Sequence, residues 1–401
     1  MKERKRILMV TCSFPPEPIV AALMSEAIAY RLSEDCDVTV LCPPPTRPLG
    51  TVFKERDNKD LPFKIHEVQS YASPIPTIPG RLRESYQFGK EVVRYIDTHS
   101  EDIDGIYAYP WPTAAQYMLL NKAAAKHIPV VTHIQDLYPE SLLGKMGLPG
   151  KIAKPFLVAF DRLNIRHSDR VIAISPQMKS KLMKSRGLEE EKVVMVRNWQ
   201  DFSHYENVEN EYPTRFTMMF VGSVSPSANV PMLIRAFVRA DVPGSRLIIA
   251  GNGSQKEECI RLAGNYPHAE IEFCDIQPDT TPLIQAKASL LIFGLKKNVA
   301  MTATPSKLVA YMYSGKPVIG AVDRNSDSEM ILKNSGGGEV VDAEDEEAFA
   351  MLMRKYSRMY IEDLKEMGRK GKEFALQHFS KESNLDLIHD TIIKMIEEKR
   401  R

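Results

Sequence analysis

Thr304-Pro-Ser-Lys-Leu-Val-Ala-Tyr-Met-Tyr-Ser-Gly-Lys-Pro-Val-Ile319 is the stretch from which the fold can be read. Thr304 suits an N-cap and Pro305 the first helical position, which puts Ser306 and Lys307 in the first turn of a helix. Gly315 ends that helix at a left-handed C′ position, and Pro317-Val-Ile-Gly320 then reads as a buried strand entering a turn. Loop, helix and strand in this order make one step of an α/β sheet. The first turn also presents free N–H groups, the positive end of the helix dipole, a hydroxyl and an amine. That set suits a phosphate or diphosphate. An ordinary capped helix with a solvated lysine would use the same residues.

Outward from this unit the chain alternates short apolar runs with helical periods. Strands are expected at 6–12, 37–41, 105–109, 129–133 and 170–175, with helices at 21–33, 83–98 and 113–126. A second series has strands at 216–222, 245–251, 270–273 and 288–293, and a helix around 232–239. Both series predict an α/β fold of two doubly wound, Rossmann-like domains with parallel sheets. Residues 199–213 are polar and aperiodic and read as a linker between domains 1–198 and 214–380. Leu385, Ile388, Ile392, Ile393 and Ile396 recur at helical spacing within 381–401, so this helix is expected to cross back to the first domain, a membrane surface being the alternative. Ligands of such sheets gather beyond the carboxyl ends of the strands, so the site is expected in an interdomain cleft.

The 401 residues are 43% hydrophobic and 26% charged, ordinary for a globular chain of two core-bearing domains. Net charge is +1, but residues 1–200 hold 28 Lys+Arg against 23 Asp+Glu and the remainder 25 against 29. A modest basic lean is compatible with an anionic lipid surface and too weak for nucleic acid. The five cysteines form no CxxC pair and sit mostly in apolar surroundings, as buried thiols do. The apolar run Ile7 to Val10 is too short for a signal-peptide core and none reaches a membrane span, so a cytosolic or peripheral inner-face location is expected. No HxxxH, DxD-type or Cys cluster has convincing metal-ligand spacing, and no metal or other cofactor is expected.

Several phrases, taken in order, resemble the retaining glycosyltransferases of family 4, of GT-B fold, particularly the bacterial branch that builds capsule and O-antigen glycans on lipid carriers. These are Phe14-Pro-Pro-Glu17, Gln135-Asp-Leu-Tyr-Pro-Glu-Ser141, Ile174-Ser-Pro-Gln-Met-Lys179, Val194-Met-Val-Arg-Asn-Trp199 with Asp201, Phe220-Val-Gly222, Ala250-Gly-Asn-Gly253, and the opening stretch. The resemblance implies a nucleotide diphosphate sugar, UDP-linked, bound mainly by the second domain, and a lipid-linked saccharide acceptor. Gly222 and Ser223 would then sit near the diphosphate, with Asn229 close by. Gly251, Asn252 and Gly253 would turn the chain near the nucleotide, Asp275 and Ile276 would flank the base, and Thr304, Ser306 and Lys307 would hold phosphate. A glycine after a strand has a plainer use, permitting a tight turn.

The sequence departs from that pattern in places. An Arg and a Lys common in the family are replaced by Ser223 and Ala228, and the paired glutamates would fall on Thr302 and Ala310. The donor sugar is therefore open, and so is an inactive GT-B partner subunit; a nucleotide-sugar 2-epimerase shares the fold. On the first-domain side His133 and Gln135 share a face at a strand end, with Asp136 beyond, and are expected to open onto the cleft. His133, Asp136 and Lys307 are the catalytic candidates; a hydrogen-bonded core histidine is the competing reading of the first. Acceptor candidates are Pro16, Glu17, Tyr109, Trp111, Gln135 and Glu140. A rigid loop, core aromatics and helix capping account for the same residues. Residues 71–90, with Arg81 and Arg83 among prolines and apolar side chains, read as a loop suited to anionic lipid or merely to water.

Overall fold

Runs such as Ile7-Leu-Met-Val10 are buried on both faces, as strands inside a parallel sheet must be. The computed structural model describes residues 4–47, 51–53, 60–73, 77–109, 114–140, 147–199, 202–277, 280–297 and 306–399. Two units result, residues 1–197 with 384–401, and residues 198–383.

The first unit contains β1 (Lys5–Val10), β2 (Cys36–Cys42), β3 (Lys64–Glu67), β4 (Gly105–Ala108), β5 (Val130–Ile134), β6 (Arg170–Ala173) and β7 (Val193–Met195). They form one parallel sheet in the order β3-β2-β1-β4-β5-β6-β7. Its helices are α1 (Val20–Ser33), α2 (Ile78–His99), α3 (Ala114–Ala125), α4 (Gly147–Ile165) and α5 (Pro176–Arg186). Helix α2 begins earlier than its apolar period suggests. Thr77 Oγ1 accepts from the Gly80 N–H at 3.2 Å and Pro79 sits in the first turn, so residues 78–82, expected as loop, are already helical ahead of the helix expected at 83–98. Arg83 there lies 4.3 Å from the Tyr71 ring centroid.

The second unit runs α6 (Ser203–Glu206), β8 (Thr217–Val221), α7 (Val230–Ala240), β9 (Arg246–Ala250), α8 (Lys256–Gly264), β10 (Ile271–Cys274), α9 (Thr281–Gln285), β11 (Leu290–Gly294), α10 (Ser306–Tyr313), β12 (Val318–Val322), α11 (Asp327–Ser335), β13 (Gly338–Asp342), α12 (Glu346–Ser357) and α13 (Ile361–Phe379). Its sheet is parallel in the order β10-β9-β8-β11-β12-β13. Alternation along β8 sends Met218 and Phe220 into a core with α7 and α12, and Met219 and Val221 into one with α10, α11 and α13. Gly315 closes α10 at φ +69, the left-handed position its sequence context calls for.

The segment expected as a linker is packed onto the second unit. Tyr205 is buried, and Lys316 Nζ donates to the Glu211 carbonyl at 2.6 Å while lying 3.6 Å from the Tyr212 ring centroid. Burial pushes the Lys316 amine down to about 7. The division therefore falls between Arg197 and Asn198.

Helix α14 (Lys381–Lys399) packs, from Asn384 on, within the first unit. Ile388, Ile392 and Ile396 are buried, and a β-carbon on Gly105 would stand 2.7 Å from Ile396 Cγ1. His389 Nε2 lies 3.0 Å from both Asp35 carboxylate oxygens, and Lys399 Nζ 2.9 Å from Asp169. Among the described residues no helix is long and apolar enough to cross a membrane. Cys36, Cys42 and Cys259 are buried, whereas Cys274 is exposed at the end of β10.

Truncating Ile396 to alanine removes a side chain that fills the space left by Gly105. The variant is expected to lose about 3 kcal/mol of first-unit stability in urea titration, and an unchanged midpoint would contradict this packing.

Candidate functional site

In an open parallel sheet the strand order reverses at one place, and ligands collect beyond the carboxyl ends there. That place lies between β1 and β4 in the first unit and between β8 and β11 in the second.

In the second unit β8 pairs with β11 only at Met218 and Met219; beyond them the strands part. The buried Tyr311 of α10 takes the partner's place: its hydroxyl accepts from the Val221 N–H at 2.6 Å and donates to the Val221 carbonyl at 2.9 Å. Nothing in Tyr-Met-Tyr distinguishes this tyrosine from core packing, so the sequence reading misses it. The chain then turns at Gly222 (φ +138) and, beside it after β9, at Gly251 (φ +138). A β-carbon on Gly251 would stand 2.1 Å from the Gly222 carbonyl oxygen. Backbone is thus stacked against backbone, and Val224 N–H donates to the Asn252 carbonyl at 2.9 Å.

Lys307, in the first turn of α10, reaches over this glycine. Its Cε lies 2.8 Å from where a β-carbon on Gly222 would be, and its Nζ 3.8 Å from the Phe220 ring centroid. No hydrogen bond or ion pair meets Nζ among the described residues. Burial pushes the amine down to about 8, a cation short of water and, among the described residues, without a counter-ion. The first-turn N–H groups of α10 and this amine are chemically suited to an anion.

Other second-unit candidates lie along the same edge. Ser223 is exposed, and buried Asn229 (φ +47) opens α7. Lys256 pairs with exposed Asp275 and donates to Asn252 Oδ1 at 2.9 Å. The hydrogen bond that Lys256 donates to Asp275, with its charge, holds the Asp275 carboxyl below its usual range. Ile276 packs on the α10 core. Gly253 (φ +159) presses against Val224, a β-carbon there standing 2.3 Å from its carbonyl oxygen. Ser306 begins α10, and Thr304 lies outside the described residues.

The first unit has a cavity of about 230 Å³ beyond the ends of β1 and β5, lined among others by Ser13, Arg81, Gln116, Gln135, Asp136 and Asp161. Gln135 and Asp136 are two of the sequence candidates; Arg81, singled out above for anionic lipid, reaches the cavity from α2, and Gln116 and Asp161, from α3 and α4, carry no local signal in the sequence. Burial, only partly offset by Arg186, pushes the Asp161 carboxyl up.

Other first-unit candidates are otherwise engaged. His133 does not open to the surface: it is 0% exposed. Gln135 Nε2 donates to its Nε2 at 2.9 Å, which leaves the ring proton on Nδ1, 2.7 Å from the Tyr107 hydroxyl. Burial pushes it down to about 3, so the ring is neutral near pH 7. Tyr109 is buried with its ring edge-on to His133, a core aromatic and not a platform. Trp111 lies outside the described residues. Glu140 is bound by the buried guanidinium of Arg186, Nη1 to Oε1 at 2.6 Å and Nη2 to Oε2 at 2.7 Å, so its carboxylate is not open to an acceptor. Burial alone would raise the Glu140 carboxyl, but those bonds hold it below its usual range. Glu17 is 2% exposed, and its Oε1 accepts from the N–H groups of Thr46 (2.6 Å) and Arg47 (2.8 Å), fixing the loop after β2. Its Oε2 has no hydrogen-bond partner among the described residues. Pro16 is half-buried beside it.

Asp35, Cys36 and His389 bring possible metal-ligand atoms within 4.8 Å of one another. They stand at the start of β2, at the amino ends of the strands whereas the cavity lies beyond their carboxyl ends, and tie α14 down.

Glu140→Ala would leave the buried Arg186 with Asp161 as its remaining acid. A loss of about 3 kcal/mol is expected in urea unfolding, with turnover per folded molecule retained. Full stability with lost turnover would return Glu140 to the reaction.

Residues 21–199 match the family described as Glycosyl transferase 4-like domain, and residues 201–374 that described as Glycosyl transferases group 1. Comparison with curated protein sequences gives no match. Among solved structures, Anabaena Alr3699/HepE in complex with UDP is 16% identical, with a TM-score of 0.65 over 96% of this chain and 99% of that one. A glycosyltransferase from Rickettsia africae ESF-5 is 14% identical, with a TM-score of 0.68 over 99% of each chain. WaaG, a glycosyltransferase involved in lipopolysaccharide biosynthesis, is 14% identical, with a TM-score of 0.61 over 96% and 99%. Structural likeness at these identities speaks to the fold, and the two sequence matches speak to the class. Together they make the chain a glycosyltransferase of GT-B fold, a glycosyl transferase 4-like domain followed by a group 1 domain.

Proposed function

We propose that the protein transfers a sugar, with retention of anomeric configuration, from a nucleotide diphosphate sugar to a hydroxyl of a lipid-linked glycan in surface polysaccharide synthesis. The observation that carries this reading is Lys307, a half-buried amine that meets no counter-ion among the described residues, set over Gly222 at the point where the second sheet reverses. The similar Anabaena structures, solved with UDP and with UDP-glucose, support a UDP-linked donor.

Chemistry rests on the leaving group. As the glycosidic bond breaks, negative charge grows on the diphosphate, and fixed N–H donors with Lys307 stabilise that charge more than they stabilise the ground state. Gly222, Ser223 and Asn229 would face the phosphates, and Gly251 to Gly253 with Asp275 and Ile276 the nucleoside. No metal is needed for this charge balance. The first unit's cavity would take the acceptor, with Gln135 and Asp136 orienting its hydroxyl and His133 positioning Gln135. Membrane association at the inner face of the cell follows from a lipid-borne acceptor. The missing glutamates at Thr302 and Ala310 favour a second reading, an inactive partner subunit. Incubation with labelled nucleotide sugars, with and without membrane lipid, separates the two: label in lipid supports transfer, and no transfer from any donor supports the inactive subunit.

Lys307→Ala is expected to lower turnover at least tenfold, about 1.4 kcal/mol of barrier, with the fold intact. The free amine is charged below about 8 and neutral above it, so affinity for a nucleoside diphosphate should fall as pH rises through that value. Calorimetry across this range checks it; a flat profile, or one unchanged in Lys307→Arg, would remove Lys307 from the anion site. Gln135→Ala should raise the acceptor KM several-fold and leave donor affinity alone. Lost donor affinity would overturn the assignment of the first unit to the acceptor.

A further inference from the structure

Helix α4 shows much of its surface to solvent. Ile152 is 66% exposed, Phe156 74%, Phe160 39% and Leu163 64%. At about 100° per residue these four fall within roughly 80° of arc, one apolar stripe along the helix. The stripe continues onto α3, where the Tyr117 ring lies 5.1 Å from that of Phe160. Single exposed apolar side chains need no explanation, but a contiguous stripe marks a surface that something covers.

The charge around it indicates what. Residues 151–166 carry four basic side chains, Lys151, Lys154, Arg162 and Arg166, against one acid. That acid, Asp161, is bound to Arg186 at 2.7 Å. Lys154 lies on the far face of the helix from the stripe, whereas Arg162 and Arg166 are exposed and enter no ion pair among the described residues. Arg162 and Arg166 follow the stripe along one flank, a turn apart. Hydrocarbon beside unpaired cations suits an anionic bilayer: the acyl boundary takes up the stripe and the headgroups neutralise the cations. A second protein copy with the same stripe would bring these cations against each other.

The position adds a role. Tyr117 and Phe160 are the chain neighbours of Gln116 and Asp161, which line the first unit's cavity, and exposed Leu82 is the neighbour of Arg81 on its wall. We propose that the α3–α4 face docks the protein on an anionic lipid bilayer, with the cavity mouth at the bilayer surface where a lipid-borne glycan would enter. Delivery of the acceptor rests on the transfer reading above; docking does not.

The test is sedimentation of the full chain with phosphatidylcholine vesicles and with vesicles containing phosphatidylglycerol, without sugar donor. The parent should partition onto the anionic vesicles, less so at high salt, and Phe156→Ser/Leu163→Ser should lower that partitioning about tenfold or more. Circular dichroism and melting verify the fold, and Arg162→Ser/Arg166→Ser, which leaves the stripe intact, should weaken binding at low salt alone. Equal sedimentation of parent and Phe156→Ser/Leu163→Ser, or no binding by the parent, overturns the proposal. So does a parent dimer that this apolar variant disrupts while vesicle binding is absent in both. Since no donor is present, failure here leaves the transfer assay to be judged separately.

Discussion

At the ends of β8 and β9 two turns lie so close that a β-carbon on Gly251 would be 2.1 Å from the Gly222 carbonyl oxygen. Both residues have φ +138, a backbone conformation that side-chain-bearing residues rarely adopt. The constraint operates twice over, because a side chain on Gly222 would also displace Lys307. With the glycines in place the lysine lies along the sheet edge, against Phe220 and partly out of water, and its charge is cheap to neutralise with an anion. Tyr311 secures the arrangement from below by bonding both backbone groups of Val221, the residue before the turn. Sheet order, turn geometry and amine electrostatics are therefore one linked arrangement.

Much of this is legible from local pattern. Apolar runs separated by helical periods give the strands on either side of both reversal points, and Gly315 ends α10 where its context requires. Short edge strands were harder: β3 reads Lys-Ile-His-Glu, and its side chains are mostly in solvent, so no apolar run announces it. The start of α2 was hidden because Pro79 and Gly80 resemble loop residues, yet Thr77 caps them into a helix. Side-chain commitments across the fold were out of reach. Nothing near Glu140 in sequence shows that Arg186, 46 residues on, claims both its oxygens. The stripe on α4 escaped notice for the reverse reason: an apolar helical face is ordinarily core, and only the structure shows this one uncovered.

The units distribute their polar groups differently. In the first, Glu17, Glu140 and His133 are tied into loop, ion pair and core, which leaves the cavity to Gln135, Asp136 and groups from three helices. In the second, the edge is mainly backbone, and carboxylates are scarce: Asp275 is paired with Lys256, and Thr302 and Ala310 stand where glutamates are common in the resembling family. Backbone N–H groups together with the Lys307 amine are suited to holding an oxyanion rather than to exchanging protons with a sugar.

The first unit is discontinuous in sequence: its sheet is finished by residue 195, but the helix that fills the hollow over Gly105 arrives only with residues 384–399. During synthesis the ribosome must add nearly the whole second unit before the first can close. Through that interval Gly105, Asp35 and Arg170 wait without their partners, and the apolar ground beneath Ile388, Ile392 and Ile396 stays wet and open to chaperones or to wrong contacts. A cut after Arg197 would leave the same wound permanently, so the two halves, although each has its own sheet and core, are not separable modules.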